Sequence, residues 1–305
     1  MNTETIQDAV VSTSPFHPGE RAVQSTAGVR EEAEKRGQRM LTAELNPPQR
    51  EFFRQLPFLV SALTDEHGQP WAGLITGEPG FIAVEEDRNQ CAVHWDRASN
   101  PTGVAVRAGD TLGLLGIELA TRRRNRLNTT VFAHEDQQWR MLIDQGYGNC
   151  PKYINERPWP ADLFAGTYQL QDTEGLSAAA QALAAGTDTF FIATSSGPAQ
   201  PDQATRASAW GTDVSHRGGE PGFLRTEKDR LVFDDYPGNN MFNTLGNIVQ
   251  HPFCGLLILD FHSGDIVQLA ARAELVQDGD ERKVELEILT TRHWSAPVRP
   301  PQEQH

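Results

Sequence analysis

No stretch of the 305-residue sequence approaches the roughly 20 consecutive apolar residues that a membrane helix requires, so insertion by helices is excluded. The opening residues, MNTETIQDAVVSTSPFHPGER, lack both a basic segment and an apolar core. No secretory signal is therefore expected, and the cytoplasm is the expected compartment. Cysteine is scarce: Cys91, Cys150 and Cys254 are odd in number and widely spaced. That fits neither a disulfide framework nor a CxxC zinc site, and reduced thiols are expected. Positive charge is in deficit, with 27 Lys and Arg against 41 Asp and Glu and a net charge of −14. Such a field repels nucleic acid and anionic membrane, which leaves small molecules as the expected partners. The phosphate loop GxxxxGK[ST], the dinucleotide turn GxGxxG, HExxH and the GxSxG elbow are all missing, so neither a metal nor a hydrolytic mechanism has support.

What is present is a repeat. GEPGF begins at Gly77 and returns at Gly219, 142 positions later; GLLGIEL begins at Gly113 and is matched by GLLILDF at Gly255, also 142 positions later. Two matches at one offset indicate a duplicated unit of domain size rather than a short solenoid repeat. PFLVSALT at Pro57 resembles TFFIATSS at Thr189 at a smaller offset, which implies an insertion in the second copy at the turn-rich SGPAQPDQATRAS.

Short apolar or alternating runs bounded by Gly, Asp, Asn and Pro predict strands over 58–64, 91–95, 111–119, 127–132, 190–195, 230–233, 254–261 and 266–276, with a last strand through Val284, Leu286 and Ile288. The expected fold is mainly β with a few helices (α+β), as two tandem antiparallel split β-barrels. Helices are predicted over 26–41, over 47–56 with Pro in the first turn, over 176–185, and from Asn240, as a cap, to Pro252. In the last of these Phe242, Leu245, Ile248 and Val249 share one face. The expected division is an N-terminal arm and helix (1–46), a first barrel (47–146), an interdomain segment (147–186), a second barrel (187–292) and a tail (293–305).

A duplicated chain contains its own control, because positions required by the fold should look alike in both copies. Val214, Ser215, His216 and Arg217 stand where the first copy has Ala72, Gly73, Leu74 and Ile75, while Asn243, Thr244 and Asn247 stand where it has Pro101, Thr102 and Ala105. The second copy thus has a polar strand end and an amide-rich helix start. A helix N-terminus offers unpaired N–H groups and partial positive charge. With Arg217 for charge pairing and Gly218 for close backbone approach, the arrangement suits an anion. The plainer alternative is a well-capped helix beside a turn. TRRRNRLN (121–128) is basic in an acidic chain: either it is a solvated turn, or residues such as Arg124 and Arg126 reach across to the other copy's ligand. In GNCPKYI, Lys152 is a candidate counter-charge and Tyr153 a candidate stacking partner.

DTFFIATS, DVSHRGGEPGFLR, the NxxNTLGN helix with HPFCGLLILDF, and DIVQLAARAEL resemble the pyridoxamine 5′-phosphate oxidase-like FMN-binding split barrels. With FHPGER, RRRNRLN and GNCPKYI, the whole chain is similar to the longer, two-barrel members of that family. The resemblance implies FMN, a homodimer or an internal pseudo-dimer, and a phosphate near Ser215 to Gly218 and near Asn243 and Thr244. Asn240, Asn247 and Gln268 complete the candidate cofactor-binding set. The true oxidases place basic residues where this chain has His216-Arg217 and Asn243-Thr244, so their own substrate is not carried over. The expected function is a flavin-dependent oxidoreductase acting on a small molecule; the alternative is a module that binds or senses FMN, or another planar cofactor, without turnover.

Overall fold

The computed structural model describes residues 14–86, 89–95, 104–135, 137–197, 209–279 and 281–297. The insertion expected at 196–208 and the counterpart positions Pro101 and Thr102 lie largely or wholly outside these. The fold is mainly β with a few helices, in two antiparallel sheets. Helices α1 (Pro18–Thr26), α2 (Arg30–Met40) and α3 (Pro47–Arg54) precede β1 (Phe58–Thr64), β2 (Pro70–Thr76), β3 (Ile82–Val84), β4 (Gln90–His94), β5 (Thr111–Glu118), β6 (Arg123–Glu135) and β7 (Gln138–Asn149). Then come β8 (Gln169–Glu174), α4 (Ala178–Gly186), β9 (Thr189–Ser195), β10 (Thr212–Gly218), β11 (Arg225–Glu227), β12 (Arg230–Asp234), α5 (Asn243–Gln250), β13 (Phe253–Leu259), β14 (Ile266–Asp278) and β15 (Glu281–Ser295). The last strand thus extends past residue 292, where the tail was expected to begin.

The first sheet runs β2-β1-β5-β6-β7-β4-β3 and the second β10-β9-β13-β14-β15-β12-β11, with β8 added on β15. Replacing each strand by its copy turns one order into the other. The second sheet is also curled. In sheet order β9 and β12 are four strand spacings apart, about 19 Å if flat, yet the Phe190 and Phe233 rings lie 5.3 Å apart. The first sheet behaves alike, since Leu59 of β1 shares one apolar cluster with Ile82 of β3 and Val93 of β4.

Strands β1 and β9 show no strict polar–apolar alternation because both of their faces are covered. Leu59 and Leu63 point into the first barrel, while Phe58, Val60 and Ala62 join Phe191, Ala193, Val214 and Leu257 in a cluster between the barrels. Glycines at the repeated positions make the approach possible. A Cβ on Gly113 would lie 2.7 Å from the Thr212 carbonyl oxygen of β10, and one on Gly255 would lie 2.4 Å from that of Pro70 on β2. Since β5 matches β13 and β2 matches β10, the two contacts are one contact seen from each side of a pseudo-two-fold axis. The barrels therefore pair within one chain.

Two helices differ from expectation. The helix predicted over 26–41 is α2, which begins only at Arg30; Gly28 at φ +70° separates it from α1, which ends at Thr26. Helix α1 starts earlier, where Pro18 occupies its first turn, His17 Nδ1 accepts from Gly19 N at 3.2 Å and Glu20 Oε2 accepts from His17 N at 2.9 Å. Helix α5 is not capped by Asn240. Phe242 holds the cap position at φ 61°, without a side-chain cap bond, and Asn240 is itself at φ 60°. On α5 Leu245 and Ile248 are buried, but Val249 is exposed. Among the described residues no helix is long and apolar enough to cross a membrane. All three cysteines are free thiols, with Cys91 and Cys254 buried.

Candidate functional site

The pseudo-symmetry is broken where β6 of the first barrel meets β10 and α5 of the second. Successive strand residues face opposite ways. On β6 this sends Arg124 and Arg126 toward the second barrel, while Leu127 and Val131 enter the first barrel's core. Arg122 and Arg123 stay exposed, Arg123 paired with Glu118 at 2.7 Å. The basic run is thus half solvated turn and half cavity wall. On β10, Asp213 and Ser215 meet α5, through Asn247 at 3.1 Å and Thr244 at 2.8 Å, whereas His216 meets Arg124 at 3.0 Å.

The resulting cavity, about 110 Å³, is walled by Arg124, Arg126, Ser215, Arg217, Asn243 and Thr244, among others. Its rim carries Cys150, Tyr153, Tyr236, Asn239 and Asn240. Three of its lining residues, Tyr153, Asn240 and Phe242, have left-handed backbone at φ 65°, 60° and 61°. Such non-glycine conformations cost free energy and concentrate at functional sites.

The lining carries both signs of charge, but its two carboxylates, Asp234 and Asp235, are taken up in ion pairs. Among the described residues none of Arg124, Arg126 and Arg217 belongs to an ion pair, whereas Arg225 and Arg282 nearby are paired with Asp234 and Asp235. Burial, with the other arginines adding, pulls Arg124 down to about 10. Burial likewise pulls Arg217 down to about 10, against the pull of Asp235. His216 is pushed well below the usual histidine range, first by burial and then by Arg124, Arg217, Arg126 and Arg157. It is neutral at pH 7. A guanidinium can only donate, so the Arg124 contact makes Nδ1 the acceptor and leaves the ring proton on Nε2.

Four buried side-chain atoms on the wall have no hydrogen-bond partner among the described residues: Arg124 Nε, Arg126 Nε, Asn149 Nδ2 and His216 Nε2. All four are donors. Buried polar atoms are seldom left unpaired, so a wall of orphaned donors around uncompensated arginines marks a place for an acceptor-rich anion. The Ser215 and Thr244 hydroxyls and the first N–H groups of α5 add to it.

No family model matches the chain, and no curated protein matches it. Among solved structures it is similar, at 9% identity, to the Bacillus subtilis inhibitor of motility MotI/DgrA, with 76% of this chain and 87% of that one covered and a TM-score of 0.21. It is similar at 8% to K. pneumonia MrkH, both in complex with c-di-GMP (82% and 83% covered, TM-score 0.20) and in its apo state (94% and 89%, TM-score 0.20). Likeness at this level carries no argument about function.

Of the residues singled out from sequence, Ser215, His216, Arg217, Gly218, Asn240, Asn243, Thr244, Arg124 and Arg126 come together on this cavity. Three do not. Asn247 lies behind the wall, donating to Thr194 Oγ1 at 3.0 Å and to Asp213. Lys152 is exposed and does not line the cavity. Gln268 sits at the pseudo-symmetric counterpart of Arg126: Arg126 pairs in register with Leu115 and Tyr147, and Gln268 with Leu257 and Arg292. There it donates to the Ala72 carbonyl at 2.7 Å and accepts from Trp294 Nε1 at 2.6 Å. In that sister position Ile266 and Leu74 replace Arg124 and His216, within an apolar cluster that includes Phe164 and the flanking Trp159. Gln268→Ala is expected to cost about 1–3 kcal/mol of stability by orphaning buried partners, while leaving ligand binding per folded molecule unchanged; denaturant titration and ligand titration of one preparation check both halves.

Gly218 serves a different purpose from the one expected. A Cβ there would lie 1.9 Å from the carbonyl oxygen of Tyr153, so the backbone that approaches is the chain's own 150–155 segment. Sequence reasoning missed a layer behind the cavity. Arg126 Nη1 donates to the Tyr147 hydroxyl at 3.2 Å, Tyr147 donates to Asn243 Oδ1 at 3.1 Å, and Asn243 Nδ2 donates to Glu20 Oε1 at 2.6 Å. Tyr147 sits in a strand with no apolar alternation strong enough to expose it, but the Pro18 and Glu20 helix-start signature was there to be read.

Proposed function

We propose that the chain is a cytoplasmic flavoprotein that binds FMN between its two barrels and uses it as an oxidoreductase acting on a small molecule. The observation that carries the reading is a cluster of three arginines without ion pairs among the described residues, with four orphaned donor atoms facing one cavity whose two carboxylates, Asp234 and Asp235, are already paired with Arg225 and Arg282. A phosphate monoester bears close to two negative charges and three acceptor oxygens, and so matches both the charge and the polarity of that wall. Ser215, Thr244 and the start of α5 hold the same group from the second barrel, Arg124 and Arg126 from the first.

The volume limits what enters. Pockets for whole organic ligands run to about 300–1,000 Å³, and this cavity, at about 110 Å³, matches only the phosphate end. In this reading the ring system lies at the rim, where Tyr153 and Tyr236 are exposed with centroids 5.2 Å apart. When bound, the flavin supplies the redox chemistry; the protein holds it, orients it and limits access. Both walls of the phosphate pocket belong to one chain.

The test is the visible spectrum of the purified chain after addition of FMN, followed by NADH or NADPH under air. Retained flavin that bleaches and then reoxidises supports an oxidoreductase. Retained flavin that neither nicotinamide reduces favours a binding or sensing module, and a chain that retains no FMN contradicts the proposal.

A further inference from the structure

Behind the donor wall lie two carboxyl groups that the anion reading leaves unused. Glu20 of α1 and Asp213 of β10 are 3% and 5% exposed, and neither is ion-paired with an arginine or lysine among the described residues. They are wired to the arginines all the same. Glu20 reaches Arg126 through Asn243 and Tyr147, and Asp213 holds Asn247 of α5 and faces Arg126 directly. Glu20 arrives from the far N-terminal side because α1 packs backbone to backbone on α5: a Cβ on Gly19 would lie 2.2 Å from the Gly246 carbonyl oxygen. Segment 17–20 is therefore built into the back of the cavity.

We propose that the anion pocket is proton-coupled, so that a dianion entering the arginine wall drives a proton onto the buried Glu20 and Asp213 pair. This rests on the flavin phosphate reading above. Asp235 is engaged by Arg282, so behind the arginines it is Asp213, acting directly on Arg126, and Glu20, wired to Arg126 through Asn243 and Tyr147, that as carboxylates serve as internal counter-ions. A bound dianion takes over that role. The carboxylates then lose their compensation and face a new like charge, and both effects favour the protonated form.

The groups packed around the pair act in both directions. Burial is the largest influence on each carboxyl and raises it; Asp213 raises Glu20 further, against the His17 N–H, the Asn243 amide and Arg30. Arg126 is the main opposing influence on Asp213, with Asn128 and Asn247. His17, 3.5 Å from Glu20, is lowered by burial to about 4 and stays neutral. The Tyr147 hydroxyl is pushed up by burial and remains protonated. The sign follows: if the bound state holds more protons than the free state, affinity falls as pH rises through the window between the two carboxyl pKa values, which lies above the ordinary carboxylate range.

The experiment is calorimetric titration of FMN into the full chain at about pH 8, in two buffers of unequal ionisation enthalpy. A phosphate monoester is fully dianionic there, its second pKa being about 6, so any proton taken up goes to the protein. The wild type should take up as much as about one proton per flavin, and its affinity should fall, by up to about tenfold per pH unit, as pH rises above the ordinary carboxylate range through the window between the free and bound pKa values. Glu20→Gln, which keeps an acceptor for Asn243 but cannot titrate, should remove most of that uptake and flatten the slope. FMN binding with no proton uptake and a flat profile overturns the coupling and leaves the flavin reading standing; no FMN binding overturns both. Uptake that survives Glu20→Gln and vanishes in His216→Asn places the proton on the histidine and also overturns the proposal. Should Glu20→Gln not fold, the wild-type pH profile decides alone.

Discussion

Arg217→Ala is expected to weaken FMN binding by about 10- to 100-fold, the loss of one charge-assisted contact worth about 1.5–3 kcal/mol, without lowering the stability of the ligand-free chain. The second half is the more telling. Arg217 is half-buried, has no ion pair among the described residues, and is held up to the cavity by little more than a bond to the His216 carbonyl at 3.3 Å and the face of Phe233 at 5.9 Å. Removing it relieves repulsion from Arg126. Its counterpart in the first barrel, Ile75, is fully buried in that barrel's core. Ile75→Ala should cost about 2–5 kcal/mol, yet leave FMN affinity per folded molecule unchanged. Denaturant titration and flavin fluorescence quenching on both variants test the contrast, and equal effects on affinity would contradict the assignment of the site to one barrel.

The second large effect comes from the paired glycines. Gly113→Val and Gly255→Val deliver the same steric insult on either side of the pseudo-two-fold axis, since a Cβ at each meets opposing backbone within 2.7 Å and 2.4 Å. Each should destabilise the chain by about 1–3 kcal/mol or more. Their consequences for binding should diverge. Gly113 presses on Thr212 to Val214, the stretch of β10 that leads into Ser215, His216 and Arg217, whereas Gly255 presses on Pro70 and Trp71 of β2, which carries no site. The fraction that stays folded should therefore bind FMN more weakly in Gly113→Val and normally in Gly255→Val. Two variants with the same binding loss would mean that the barrels do not meet across these strands.

The duplication was legible because its evidence is local. Glycine and apolar residues recur in GEPGF and in GLLGIEL and GLLILDF at one offset, and the structure gives Gly113 and Gly255 the same task. The polar strand end at Ser215 to Arg217 was legible by contrast with its copy. Strand β2 was harder to see, because PWAGLIT is covered on both faces and shows no alternation. The cap at Asn240 was misread because Asn is the usual cap; here the chain spends its polar residues on the cavity and leaves Phe242 to turn the corner. Lys152 and Gln268 were charge and polarity without direction. Only the register of β14 shows that Gln268 faces the sister position, and only the fold of segment 150–155 shows that Lys152 points away. Glu20 could not be connected to Asn243 from sequence, because 223 positions separate them.

The account stands on a dianionic phosphate held by the donor wall. Its most direct test is a parallel titration of the ligand-free chain with FMN and with riboflavin, which differ only in that phosphate, followed by flavin fluorescence at moderate salt. FMN is expected to bind at least about 100-fold more tightly, the worth of two or more charge-assisted contacts. Equal affinity for the two, or binding of neither, would contradict it.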